Sequence, residues 1–151
     1  MHGAGAVVVS VAVAAPPDRV WRALTAPSEV ALWDGVEPVA VPEDYPRPGH
    51  HARWRLRLGP LALTLHDRVE VVEAGARLEA RLDVGGVHVD ERYQLVAGGT
   101  GTVVVSTNVV TCLVPGTGPL ARRLVRANVR GSLARLARHC AAPAPTAGAA
   151  P

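Results

Sequence analysis

Residues 9–36, VSVAVAAPPDRVWRALTAPSEVALWDGV, decide the fold. Residues 7–15 read as a strand, because Val dominates and Val9, Val11 and Val13 fall on one face. Pro16-Pro17-Asp18 stops that strand. Proline is tolerated in the first turn of a helix, where its missing amide would be unpaired anyway. A short helix follows, with Val20, Trp21 and Leu24 on one side. Pro27 breaks it, Ser28 is placed to cap a second short helix over Glu29–Trp33, and Gly35 ends that one.

Working outward, a further strand is expected over Val36–Val41, and Pro42–Gly49, with three prolines, reads as a loop. From Ala52 the chain alternates, with Arg53, Arg55 and Arg57 against Trp54, Leu56 and Leu58. After Gly59-Pro60 the alternation resumes over Leu61–Glu73, then over Arg77–Val84 after Gly75. Gly85-Gly86 is a hairpin signal leading into Val87–Val96, and Gly98-Gly99-Thr100-Gly101 turns into Thr102–Leu113. Hairpin-linked strands of this kind predict an antiparallel meander. A long helix is expected over Leu120–His139, with Leu120, Leu124, Val125, Val129, Leu136 and Cys140 as its apolar stripe.

The chain has 151 residues, enough for one domain with a sizeable core. It contains 25 Ala and 25 Val but no Ile, Phe or Lys, so all 16 basic residues are Arg. This pattern fits a G+C-rich coding bias. The five aromatics are Trp21, Trp33, Trp54, Tyr45 and Tyr93. Small Val and Ala walls are expected to leave room for a cavity. A net charge of +3 without clustering gives no nucleic-acid signature. No run of 18 apolar residues exists, so stable membrane insertion is not expected. The apolar stretch 4–15 reads as a strand rather than a signal peptide, since no Lys or Arg precedes it. Cys112 and Cys140 are too few for a disulfide framework or a zinc site, and a cytoplasmic protein is the expectation.

The opening stretch, with Ala15-Pro16, Val20-Trp21 and Trp33, resembles the start of the START-like, or Bet v 1-like, superfamily, which includes single-domain bacterial polyketide cyclases and dehydratases. RYQLVAGGTGTVVVS (92–106) is similar to that family's Gly-Gly-Thr hairpin, and RANVRGSLARLARH (126–139) to its C-terminal helix. The resemblance implies an α+β helix-grip fold over residues 7–140. In it a curved antiparallel sheet of about seven strands, two short helices and a long C-terminal helix enclose an elongated, mostly apolar cavity. Residues 1–6 and 141–151 are expected to be disordered.

Strand parity then sorts the polar residues. Asp67 is in phase with Leu61, Leu63, Leu65, Val69 and Val71, so it is expected to face the cavity, where its pKa would rise. A register break there would instead make it half of a surface ion pair with Arg68. Glu91 and Tyr93 share a phase with Val87, Val89 and Leu95, unless Asp90-Glu91-Arg92 is a solvated cluster. Asp67, Glu91 and Tyr93 are the catalytic candidates. Alternation leaves the phase of 102–113 open; placing it by the family's hairpin turns Ser106 and Asn108 inward. Asn128, four residues after Leu124, would lie on the cavity floor. His50 would stand at the rim and Trp33 and Trp54 would stack on a planar ligand. His66 and His88 read as outward, and no metal-binding spacing occurs.

These residues fit a cofactor-free cyclase or cyclase/dehydratase acting on a hydrophobic, polyketide-like small molecule. A non-catalytic carrier of a lipid or aromatic compound and a co-chaperone-type module are the alternatives. Arg122, Arg123, Arg126, Arg130, Arg135 and Arg138 form either a solvated face or a dock for an acidic carrier protein holding the substrate. The protein is expected to be a monomer or homodimer.

Overall fold

The computed structural model describes residues 5–141. Seven strands form one sheet: β1 (Gly5–Val13), β2 (Val36–Ala40), β3 (His51–Leu58), β4 (Leu61–Glu73), β5 (Arg77–Val84), β6 (Val87–Gly98) and β7 (Gly101–Cys112). Their spatial order is β1-β7-β6-β5-β4-β3-β2, antiparallel throughout. Helices α1 (Pro17–Thr25) and α2 (Pro27–Trp33) link β1 to β2, and α3 (Gly118–Ala141) follows β7. This is the α+β helix-grip arrangement. The terminal segments expected to be disordered fall largely outside the described residues, but β1 already begins at Gly5 and α3 reaches Ala141. No helix among the described residues is long and apolar enough to cross a membrane.

The helical corner is tied by named bonds. Trp33 Nε1 donates to the Ala23 carbonyl at 2.8 Å, locking α2 onto α1. Arg135 Nε donates to the Trp33 carbonyl at 2.7 Å and joins α3 to the end of α2. Glu29 receives Arg19 at 2.6 Å, Arg22 at 3.0 Å and His139 at 2.9 Å, so one carboxylate binds all three helices. The α2 cap differs from expectation. Ala26 is the N-cap and Pro27 opens the helix, so Ser28 lies inside it and makes no capping bond. Where β7 begins, a Cβ on Gly101 would meet the Val13 carbonyl oxygen at 2.3 Å, so only glycine permits this approach to β1.

Two phase differences shape the site. A β-bulge between Val69 and Val71 shifts the register of β4 against β5, pairing Val72 with Leu78. Val72, not Val71, therefore packs on the core. On α3 the buried positions are Val129, Ser132, Leu133, Leu136 and Cys140. Leu120 and Leu124 are each 61% exposed and Asn128 is exposed, so the expected stripe is rotated away at its start, while Val125, Val129, Leu136 and Cys140 pack on the core as expected. The helix packs chiefly on β1 and β7.

That rotation sets a test by thermal or denaturant unfolding. Leu136→Ala, at a fully buried position, is expected to lose about 2–5 kcal/mol. Leu124→Ala is expected to change stability by less than about 0.5 kcal/mol. Equal losses would restore the stripe read from the sequence.

Candidate functional site

Cross-strand register carries the inner face from residue to residue. Ala52 stands opposite Asp67, Asp67 opposite Leu82, and Leu82 opposite Val89. Directly opposed residues share a face, so Asp67, Glu91 and Tyr93 all point toward the helices. Asp67 is 6% exposed and Tyr93 is buried, while Glu91 is half-buried. All three line one cavity, together with Trp33, Trp54 and two residues without an alternation signal, Asp34 and Tyr45. The cavity holds about 50 Å³. The space is thus small, with three carboxyls set among apolar and aromatic side chains, not the elongated chamber expected.

Asp34 is the C-cap of α2, and Gly35, with φ of +73°, turns the chain from it into β2. The Ser132 hydroxyl donates to Asp34, and Arg135 Nη2 reaches Ser132 Oγ at 3.2 Å. Tyr45 comes from the loop before β3. Its hydroxyl donates to Asp67 Oδ2 at 2.6 Å, and its ring meets Trp54 edge-on with centroids 5.8 Å apart. Trp54 Nε1 donates to the same oxygen at 3.1 Å. Asp67 Oδ1 is buried without a partner. The Tyr93 hydroxyl donates to Glu91.

Three carboxyls in so small a space perturb one another. Burial, then the charges of Asp34 and Asp67, pushes Glu91 up to about 8. Burial raises Asp34 to about 6, against the pull of Ser132 and Arg135. Burial also raises Asp67, but the bonds from Tyr45 and Trp54 oppose the shift. Near neutral pH, Glu91 holds a proton. Tyr45 and Tyr93 stay protonated, raised well above the usual phenol range by burial first and then by neighbouring carboxylates.

The remaining expected residues divide. Ser106 and Asn108 do face inward, at 0% and 1% exposure, which settles the phase of β7. They stand opposite Tyr93 and Glu91, and Asn108 Nδ2 donates to Ser106 Oγ at 2.9 Å. They back the cavity rather than line it. His50 is half-buried outside the cavity and pairs with Asp44 at 3.5 Å. Asn128 precedes Ser132 by one turn on the same side of α3 but is exposed, so it is not the cavity floor. Its side of the helix continues through Leu124 to Leu120. On the inner sheet face, Leu65 and Leu82 lead from the cavity to half-buried Leu56 and Leu63, then to exposed Leu58 and Leu61. A buried acidic end is thus continued by an apolar trough of increasingly exposed leucines on the inner face of β3 and β4.

Stability should report these shifts. The folded state keeps Glu91 protonated far above its ordinary value of 4.5, so its contribution is full below that value and is lost as pH rises through about 8. Asp34 and Asp67 act in the same direction. The melting temperature should fall between pH 5 and pH 8, and Glu91→Gln should flatten the fall by several degrees, since 1 kcal/mol is worth about 2–4 °C at this size. An unchanged slope in the variant would show Glu91 to be ionised in the native protein.

Protein CV1439 from Chromobacterium violaceum has the same fold, with a TM-score of 0.76 at 16% identity over 91% of this chain and 98% of its own. DynU16, from the dynemicin biosynthetic locus, is 29% identical with a TM-score of 0.70; the match covers 89% of this chain and 46% of DynU16. CalU16 from Micromonospora echinospora is 20% identical with a TM-score of 0.69, covering 92% and 78%. No curated protein matches the chain. The family profile described as polyketide cyclase / dehydrase and lipid transport matches residues 4–141, which is nearly the whole sequence. The chain belongs to this START-like family of polyketide cyclases, dehydrases and lipid-transport proteins.

Proposed function

We propose that the protein is a cofactor-independent cyclase or cyclase/dehydratase for a hydrophobic, polyketide-like intermediate. The observation that carries this reading is the pair of inward carboxyls that line one cavity with different partners. Asp67 is held by two hydrogen bonds with one oxygen left over, and Glu91 keeps a proton near neutrality. Burial raises both, but Tyr45 and Trp54 oppose the rise of Asp67 while neighbouring charges add to that of Glu91, which suits Asp67 to act as base and Glu91 as acid. Asp67 Oδ1 takes a proton from a carbon beside a carbonyl. The resulting enolate closes on a second carbonyl of the same chain, forming the carbon–carbon bond. Glu91 gives its proton to the new alkoxide; the Glu91 carboxylate then takes the second proton from the same carbon while Asp67 returns its proton to the departing hydroxyl, so water leaves and both carboxyls regain their starting states. Only the reacting end enters the cavity, and the apolar trough holds the rest of the chain in a reactive conformation.

The family description and the dynemicin-locus relative support a biosynthetic role. Arg123, Arg126 and Arg130, exposed on the N-terminal half of α3, offer a face for an acidic carrier bearing the substrate. A non-catalytic carrier needs the trough but not the acid–base pair, so proton transfer separates the two readings.

Nonane-2,4-dione is a suitable probe. The protein should speed deuterium exchange at the carbon between its two carbonyls, read by NMR. Asp67→Asn or Glu91→Gln should lower that acceleration by about 10²–10⁴-fold, with folding checked by circular dichroism. Binding without faster exchange would identify a carrier.

A further inference from the structure

We infer that the inner end of the cavity binds a protonated amine, so that the ligand is a hydrophobic molecule with an alkylammonium head. The proposal rests on the cavity being the ligand site and describes a ligand held there rather than turned over, since an ammonium head takes the place of both the reacting carbonyl end and the Glu91 proton.

The lining has the chemistry of a cation cage. Asp34, Asp67 and Glu91 supply carboxyls from α2, β4 and β6, and Trp33, Trp54, Tyr45 and Tyr93 supply ring surface around them. Arg135 acts on Asp34, and three ionised carboxylates against that guanidinium would leave a net charge of −2. Asp67 is nine-tenths buried, lines the cavity and leaves Oδ1 without a donor. A buried, unpartnered carboxylate oxygen is costly, and an N⁺–H donor satisfies both its charge and its lone pairs. No three His, Cys, Asp or Glu side chains among the described residues are arranged to hold a metal ion. The spacing thus suits an organic cation. A volume of about 50 Å³ admits an aminomethyl-sized head and excludes the body of a larger ligand, which the trough accepts. A carboxylate head would meet like charge.

Linkage gives the signature. The proton on Glu91 in the empty cavity partly offsets the repulsion among the carboxyls, and an arriving ammonium takes over that role. Binding therefore expels a proton, and the ammonium N–H groups become the donors of the cavity. Cation affinity rises with pH as Asp34 and then Glu91 ionise.

The test is calorimetric titration of the full chain with octylammonium, octanol and octanoate, below pH 6 and above pH 8, on either side of the Asp34 and Glu91 values. Octylammonium should bind at least about tenfold tighter than octanol above pH 8, with octanoate weakest. That preference should shrink below pH 6. Near pH 7, the binding heat should vary with the ionisation enthalpy of the buffer, as proton release requires. Asp67→Asn should lose most of the preference, and the pH dependence of the unaltered protein stands if that variant does not fold. Equal affinity for octanol and octylammonium would overturn the cation site and leave the ligand cavity intact. No binding of any of the three would overturn both.

Discussion

Asp67 Oδ2 accepts the Tyr45 hydroxyl at 2.6 Å and Trp54 Nε1 at 3.1 Å, and these bonds join the loop before β3, β3 itself and β4 at the buried end of the sheet. Neither donor is free to leave, because a buried hydroxyl or indole N–H without an acceptor costs about 1–3 kcal/mol. Backbone bonds reinforce the joint: Gly49 N–H donates to the Val69 carbonyl at 2.8 Å, and Val69 N–H to that of His50 at 2.9 Å. The rest of the site follows from this anchor. The two donors on one oxygen oppose, without cancelling, the rise that burial gives Asp67, and its charge helps raise Glu91. The electrostatics of β6 thus depend on a loop that never touches it in sequence.

Parity made half of this legible. Asp67, Glu91 and Tyr93 lie on long alternating strands, where a period of two gives each side chain a definite face. Asp34 and Tyr45 carried no such signal, since one caps a seven-residue helix and the other sits in a proline-rich loop. Their placement is a tertiary outcome. Val71 misled because a bulge at Glu70 inserts one residue and reverses the phase beyond it. Asn128 misled for a related reason. Leu120 and Leu124 drew the start of the α3 stripe to their side, although both remain exposed. Hydrophobic patterning records which residues are apolar, and a ligand-facing surface is apolar without being covered by protein.

Composition also acquires a different meaning. A core without Phe was expected to be hollow, yet Val7, Val20 and Val104 are wholly buried and pack closely on their neighbours. Small β-branched side chains fill the space between α3 and strands β1 and β7 because the helix lies directly on those strands. The room left over is elsewhere, beneath α2, and four of the five aromatics converge on it. Trp33 and Trp54 each spend their indole N–H on a protein acceptor, Ala23 and Asp67 respectively, which fixes the rings in place. Rigid rings of this kind form walls, so the shape of the inner end is set before any ligand arrives.

The two ends of the site are therefore built on different principles. The inner end is held on every side. Arg135 and Ser132 tie Asp34 to α3, Tyr45 and Trp54 tie Asp67 to β3 and its loop, and Tyr93 holds Glu91. Enlarging it means leaving buried polar groups unpaired, which makes its small volume stiff. The outer end consists of leucines from β3 and β4, which can repack around different shapes at little cost. Discrimination by chemistry belongs to the first and tolerance of length and shape to the second. Substitutions along the trough should then alter which chains fit, while the group accepted at the inner end stays the same.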